Sequence, residues 1–236
     1  MPQRRVVEEY HRALRVAHLA AHSIHPGIQL LISLDHHWSA QMGENTLHGM
    51  SGKYFVETLN TIAKAEGNFD WHVAFHPYPE NLFNPRTWED TAATPSFDAA
   101  KITFKNIEML PAFLRQERFL HNGKARRVIL SEQGFHSADG KNGERDQAAA
   151  YAYSYYRVQQ TEGIDAFILH RHVDHPGEGG LRLGLRSSRD GGVRPIYNVF
   201  RQADTAAWAE AFKFALPVIG VKSWPDTLSS NPPKVE

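Results

Sequence analysis

The 236-residue sequence contains no cysteine, which removes disulfide scaffolds, thiolate metal sites and cysteine nucleophiles together. Neither charge is in excess: 26 basic residues balance 26 acidic ones. There is then no long-range field to gather polyanions, and neither nucleic acid nor a membrane surface is expected as a partner. No apolar run reaches the length needed to cross a bilayer. Residues 1–15 are charged and amphipathic, without the apolar stretch of a signal peptide, so export by a signal of this chain's own is not expected and the location is left unassigned.

What is present is an ordinary globular composition, 42% hydrophobic and 22% charged, which excludes disorder over most of the length. Fourteen histidines, five tryptophans and 11% aromatics suit a sugar cleft, where aromatic faces pack on pyranose C–H faces and polar side chains meet hydroxyls. Buried core aromatics are the commoner outcome of the same composition.

Along the chain, Val6, Val7, Tyr10, Leu14, Ala17 and Ala21 recur at helical spacing up to the stop at His25-Pro26-Gly27. The short apolar run 28–34 then reads as a strand buried on both faces and opens into Asp35-His36-His37-Trp38. A helix carrying Phe55, Leu59 and Ile62 follows. The strand 71–75 ends at His76-Pro77-Tyr78-Pro79, and a long loop over 80–95 is expected to pack over something. A third helix around Ile107 to Leu114 precedes the strand 127–131, which delivers Glu132-Gln133-Gly134-Phe135. A fourth helix spans about 146–162, and the strand 164–169 delivers His170-Arg171-His172. A last helix is expected around 208–216.

Strands that alternate with helices form a parallel sheet through right-handed crossovers. The expected fold class is α/β, parallel strands alternating with helices in one domain over residues 1–220, with a frayed tail over 221–236. In such folds the chemistry sits just beyond the C-terminal strand ends. All four strands here end there in polar or aromatic clusters, which makes Glu132 the leading catalytic candidate. Glycoside hydrolysis needs a carboxylate at the anomeric carbon and a second carboxyl group about 5 Å away in retaining enzymes.

The residues also carry a resemblance. Ile129-Leu130-Ser131-Glu132-Gln133-Gly134-Phe135 resembles the seventh-strand nucleophile motif of clan-A glycoside hydrolases, and His76-Pro77-Tyr78-Pro79 resembles the sixth-strand His-x-Tyr beside it. Arg194-Pro195-Ile196-Tyr197-Asn198-Val199-Phe200 resembles a motif that follows the eighth strand. Over residues 4–224 the chain is similar to a bacterial group of barrel proteins of unknown function related to that clan. The resemblance implies the C-terminal half of a (β/α)8 barrel, strands five to eight, with Glu132 as nucleophile, Tyr78 donating a hydrogen bond to its carboxylate and His76 lining the donor subsite. Such enzymes place the acid/base in an Asn-Glu pair after the fourth strand, and no Asn-Glu occurs in this sequence. A piece of a longer protein is therefore expected, with two open barrel edges through which it could self-associate.

The partner expected from this reading is an oligo- or polysaccharide, met by Trp38, His36, His37, Gln133, His170 and His172, with no metal and no cofactor. Trp71, which opens a strand, is expected in the core. Arg171 and Arg182 are expected either to neutralise an acidic sugar or to pair with Asp174 and Glu178. Two alternatives stand beside the glycosidase. One is a carbohydrate-binding barrel without turnover. The other is a metal-dependent hydrolase using the cluster His170, His172, Asp174 and His175, or His36 and His37, since strand-end imidazoles with a carboxylate make good zinc or iron ligands.

Overall fold

A computed structural model describes residues 2–40 and 49–228. Helix α1 (Gln3–Ile24) buries Val7, His11 and Leu14 on one stripe and ends where His25 turns extended ahead of Pro26 and Gly27. Four strands of equal length follow in alternation with helices: β1 (Leu30–Asp35), β2 (Trp71–His76), β3 (Val128–Gln133) and β4 (Ile164–Leu169). They pair in chain order, and every neighbouring pair is parallel. The fold is thus the α/β alternation expected from the sequence.

The register explains which residues are inside. Leu34, Phe75, Leu130 and Phe167 stand side by side across the sheet, and the first three are buried. On this face the sheet meets the helical layer: α2 (Gly52–Ala65), α3 (Met109–Leu114) and α4 (Gly143–Gln159). The N-terminus of α2 is capped by Ser51, whose hydroxyl accepts from the Tyr54 amide at 3.2 Å. Helix α4 is buried almost all round, from Gln147 to Arg157, because α5 (Pro195–Gln202), α6 (Trp208–Phe212) and α7 (Ala215–Ile219) cover its outer side. Alanines 148–150 and 152 let these layers approach closely.

The opposite row, Ser33, Ala74, Ile129 and Ala166, faces away from the helices. Farther along β4, Ile168 is 54% exposed. The outer edges of β1 and β4 carry no further strand among the described residues.

Two expectations change at the C-terminal end. The single helix around 208–216 is two short helices, α6 and α7, the second closed by Gly220 in the left-handed region at φ 87°. Helix α5 comes before them, entered through Pro195 in its first turn. The tail expected to fray from 221 instead packs through Trp224, which is 8% exposed against Tyr156, Trp208 and Phe212. Arg157 donates to the Thr227 carbonyl at 2.7 Å. Residues 229–236 lie outside the described part.

Candidate active site at the strand ends

Register places the ends of β1, β2 and β3 in one row. Asp35 pairs with His76, and His76 Nε2 lies 3.0 Å from Ser131 Oγ. Between β3 and β4 the register slips: Leu130 faces Phe167 but Gln133 faces Leu169. Three steps on β3 thus oppose two on β4, a bulge at Ser131 and Glu132 of the kind that re-aims a side chain at a sheet rim. The bulge leaves Glu132 exposed while Gln133 is wholly buried.

The Tyr78 hydroxyl donates to Glu132 Oε1 at 3.0 Å. Burial, then the neighbouring Glu132 charge and this hydrogen bond, push the Tyr78 phenol far above its ordinary value, so it stays a donor at every working pH. Burial lowers the His76 imidazole, and the charges of Glu132 and Asp35 oppose that shift. His76 is therefore neutral near pH 7, between two carboxylates on the same rim.

Around this centre lies a framework that holds it in place. Gly134 follows Gln133, and a Cβ there would lie 2.2 Å from the His170 carbonyl, so the close approach of the two strand ends depends on glycine. The His170 amide returns a hydrogen bond to the Gln133 carbonyl at 2.8 Å, and the peptide after His170 is cis. Asp174 takes a two-pronged contact from buried Arg194, at 2.8 and 2.6 Å. Burial alone would raise the Asp174 carboxyl; the Arg194 bonds outweigh it and hold it low. Gln147 ties the Phe135 carbonyl at 2.9 Å and the Gly184 carbonyl at 3.3 Å to α4. In the long loop, Glu80 accepts from the Thr91 and Ala92 amides at 2.9 and 2.7 Å.

Several residues assigned to the cleft by sequence are elsewhere. Trp38 is fully buried, edge-on to Phe113 and donating to the Phe97 carbonyl at 2.9 Å, so it offers no face to a sugar. Gln133 spends its amide on the Leu130 and Ile168 carbonyls. His36 is 6% exposed beside Lys101, and burial together with that ammonium pushes it down to about 4. His37 stays at the rim, its Nδ1 3.1 Å from Asp35 Oδ1. His170 is half-buried with Nε2 2.9 Å from Glu178, while His172 is exposed. Trp71 is core, as expected. Arg171 pairs with Glu178, one of the two carboxylates offered to these arginines, and Arg182 pairs with Asp139, which was not among them.

The proposed metal set does not assemble. Asp174 is turned to Arg194, His170 to Glu178, and His175 Nδ1 to the Gly177 amide. Among the described residues no three His, Asp or Glu side chains are placed to hold one ion.

Sequence reasoning left three features without a role in the site. Asp35 was visible at a strand end but was read only as part of a cluster. Glu178 lies in a loop that gives no periodic signal. Phe83, 51% exposed on the long loop and edge-on to His136 at 5.2 Å, is an aromatic face open at the rim. A cavity of about 810 Å³ opens between the β3–α4 and β4–α5 loops, but Glu132, Tyr78 and His76 are not in its lining. Its Arg182 and Arg194 are already paired with Asp139 and Asp174.

Comparison with solved structures finds a family 39 glycoside hydrolase from the gut symbiont Bacteroides cellulosilyticus WH2, with a TM-score of 0.52 and 17% identity. The match covers 87% of this chain and 37% of that one, so the chain spans well under half of the enzyme it resembles. At that identity the likeness shows the fold, a parallel α/β arrangement of the glycoside-hydrolase barrel type. No curated protein sequence matches the chain. The family model that does match spans residues 1–227, and the chain therefore belongs to the family of unknown function DUF5722.

Proposed function

We propose that this chain carries the nucleophile side of a retaining glycoside hydrolase site, acting on O-glycosidic bonds of an oligo- or polysaccharide. The observation that carries the reading is the Tyr78–Glu132 hydrogen bond of 3.0 Å at the C-terminal rim of a parallel sheet. A carboxylate there is open to a ligand, and a phenol held in its neutral form stabilises its charge and fixes one oxygen. The other oxygen is free to attack the anomeric carbon. His76 lines the cleft between Glu132 and Asp35, His37 and His172 stand at its edge, and Phe83 supplies an aromatic face.

In this reading the four strands correspond to strands five to eight of a clan-A barrel. The 87% and 37% coverages of the solved glycoside hydrolase and the two open sheet edges support that. A second copy of the chain, or further strands, would close those edges.

A carbohydrate-binding protein without turnover is the second reading, since the exposed Phe83 and the rim histidines His37 and His172 would serve binding alone. The substitution Glu132→Gln separates the two. If Glu132 is the nucleophile, hydrolysis of activated aryl glycosides falls by at least about a thousandfold while ligand binding persists. Undiminished hydrolysis would remove Glu132 from the mechanism.

A further inference from the structure

The cavity of about 810 Å³ between the β3–α4 and β4–α5 loops is lined by charges that the protein itself only partly uses. Two of its acids are satisfied internally. Asp174 takes both prongs of Arg194 and the Gly184 amide at 2.8 Å, and Asp190 closes its own turn by accepting from the Gly192 amide at 2.9 Å. The cations are less occupied. Lys141 and Arg189 are exposed, and their side chains form no hydrogen bond or ion pair among the described residues. Arg194 is 5% exposed, yet its Nε is buried without a hydrogen-bond partner. Glu144 lies 3.6 Å from that nitrogen, too far to bond it, and is exposed enough to turn to water. Lys141 and Glu144 also straddle the start of α4, whose Asn142 makes no side-chain cap, so the positive end of the helix dipole lies at the same wall.

Arg182 is the fixed point of this lining. Its Nε donates to the Ser137 carbonyl at 2.7 Å, and its Nη1 donates to Asp139 at 2.6 Å. The Asp139 carboxyl is held below its ordinary value by the Arg182 bond and charge, with Arg189 adding in the same direction. Two arginines thus converge on one carboxylate, and that carboxylate is 94% exposed. An ion pair so open to water contributes little, so a carboxylate arriving with further contacts can take its place.

The surroundings supply such contacts for a sugar. The volume lies in the range of sites that hold organic ligands and is far more than a simple ion fills. Ser187 and Ser188 add hydroxyls to the lining. The exposed ring of Phe83 packs edge-on against His136, whose Nδ1 accepts the Arg182 amide at 2.9 Å, so an aromatic face for pyranose C–H groups stands two contacts from the arginine.

We infer that this cavity binds a uronate unit of an acidic oligosaccharide, with Arg182 taking its carboxylate in place of Asp139 and Lys141 and Arg189 supplying further positive charge. The sugar class rests on the glycosidase reading above; the preference for an anion rests on the cavity alone. Exchanging one carboxylate for another keeps the Arg182 hydrogen bond, and the serine and Phe83 contacts are the net gain.

The test measures binding to the full chain by titration calorimetry at low and high salt. The probes are oligogalacturonate and oligoglucuronate, their carboxyl-reduced counterparts, a sulfated neutral oligosaccharide and inorganic phosphate. At least one acidic oligomer is expected to bind about tenfold or more tightly than its reduced counterpart, and to weaken as salt rises. Asp139→Asn, which releases Arg182, is expected to tighten binding about two- to fivefold. Lys141→Ala combined with Arg189→Ala is expected to weaken it about tenfold, with Tm unchanged. Equal binding of acidic and reduced oligomers, weaker binding in Asp139→Asn, or a double variant that binds like the wild type would overturn the assignment. So would phosphate or the sulfated sugar binding as tightly as the uronate, or no binding of either acidic oligomer at millimolar concentration. Calorimetry needs no turnover, so the two readings fail separately. If Glu132→Gln is fully active while uronates bind as described, the glycosidase reading falls and the anion site stands. If aryl glycosides are hydrolysed and no uronate binds, only this inference falls.

Discussion

Replacing Gly134 by alanine would put a methyl group where none fits. Its Cβ would lie 2.2 Å from the His170 carbonyl oxygen and 3.2 Å from two carbons of Leu183, against the 3.4 Å or more of an ordinary contact. The carbonyl cannot swing away cheaply, because the amide of the same residue is bonded to Gln133 at 2.8 Å. Overpacking of this kind costs roughly 1–3 kcal/mol, and opening the Gln133–His170 hydrogen bond adds about 1 kcal/mol. The expected loss is about 2–4 kcal/mol, or roughly 5–15 °C in Tm for a domain of this size. Urea denaturation and calorimetry measure it directly. Gly123→Ala is the comparison: nothing lies within 4 Å of its Cβ, but φ is +75°, so the cost there is about 1 kcal/mol of backbone strain. The steric reasoning is refuted if Gly134→Ala is no less stable than Gly123→Ala.

Three further outcomes follow from particular contacts. Removing the Tyr78 hydroxyl with Tyr78→Phe deletes a hydrogen bond to a charged group worth about 1.5–3 kcal/mol, so kcat/KM on aryl glycosides should drop roughly 10- to 150-fold with Tm little changed; an unaltered rate would make the contact incidental. Arg194 and Asp174 are 5% and 7% exposed and bonded through both oxygens, so Arg194→Leu should cost about 3–5 kcal/mol by leaving a buried carboxylate alone, and a loss under 1 kcal/mol in urea denaturation would contradict that. The third concerns pH. His36, held at about 4 in the fold against an ordinary 6.5, contributes stability that is complete above pH 6.5 and lost as pH falls toward 4, about 3 kcal/mol in all. Asp90, raised to about 6 by burial against the hydrogen bonds of Thr103 and Thr87, has the opposite sign, since its ionisation destabilises the fold as pH rises from 3.8 to 6. Urea midpoints between pH 4.5 and 7.5 should therefore fall with rising pH in His36→Gln and rise more steeply than in the wild type in Asp90→Asn; identical slopes in all three proteins would contradict both assignments.

The alternation of strands and helices was legible because each strand is a short apolar run and each helix a 3.6-residue stripe, and both patterns record burial directly. The rim position of Glu132 was legible for the same reason: the apolar run stops there. What failed was direction. Trp38 follows a strand end by three residues, yet its indole nitrogen finds the Phe97 carbonyl 59 residues away, and nothing local announces that long-range turn inward. Gln133 could have been excluded by alternation alone, since neighbours on a strand face opposite sides. Which of the pair faces the ligand, however, is set by a register slip that only the β4 partner reveals. Glu178 was noticed as a possible ion pair and not as a site residue, because a Gly- and Pro-rich loop over 176–184 carries no periodicity to say what it folds back upon. The tail was misjudged because its serines and prolines outweighed one tryptophan, which buries enough apolar surface to hold 224–227 down.

The central claim, that Glu132 forms a bond to the anomeric carbon, is tested most directly by trapping. Whichever glycoside the chain turns over is supplied as its 2-deoxy-2-fluoro dinitrophenyl derivative, and the protein is weighed and digested with trypsin. The account predicts a gain of one fluoroglycosyl group on the peptide spanning residues 128–141, located at Glu132 and absent from Glu132→Gln. An adduct on Asp35, or turnover of the parent glycoside with no adduct on any carboxylate, would contradict it.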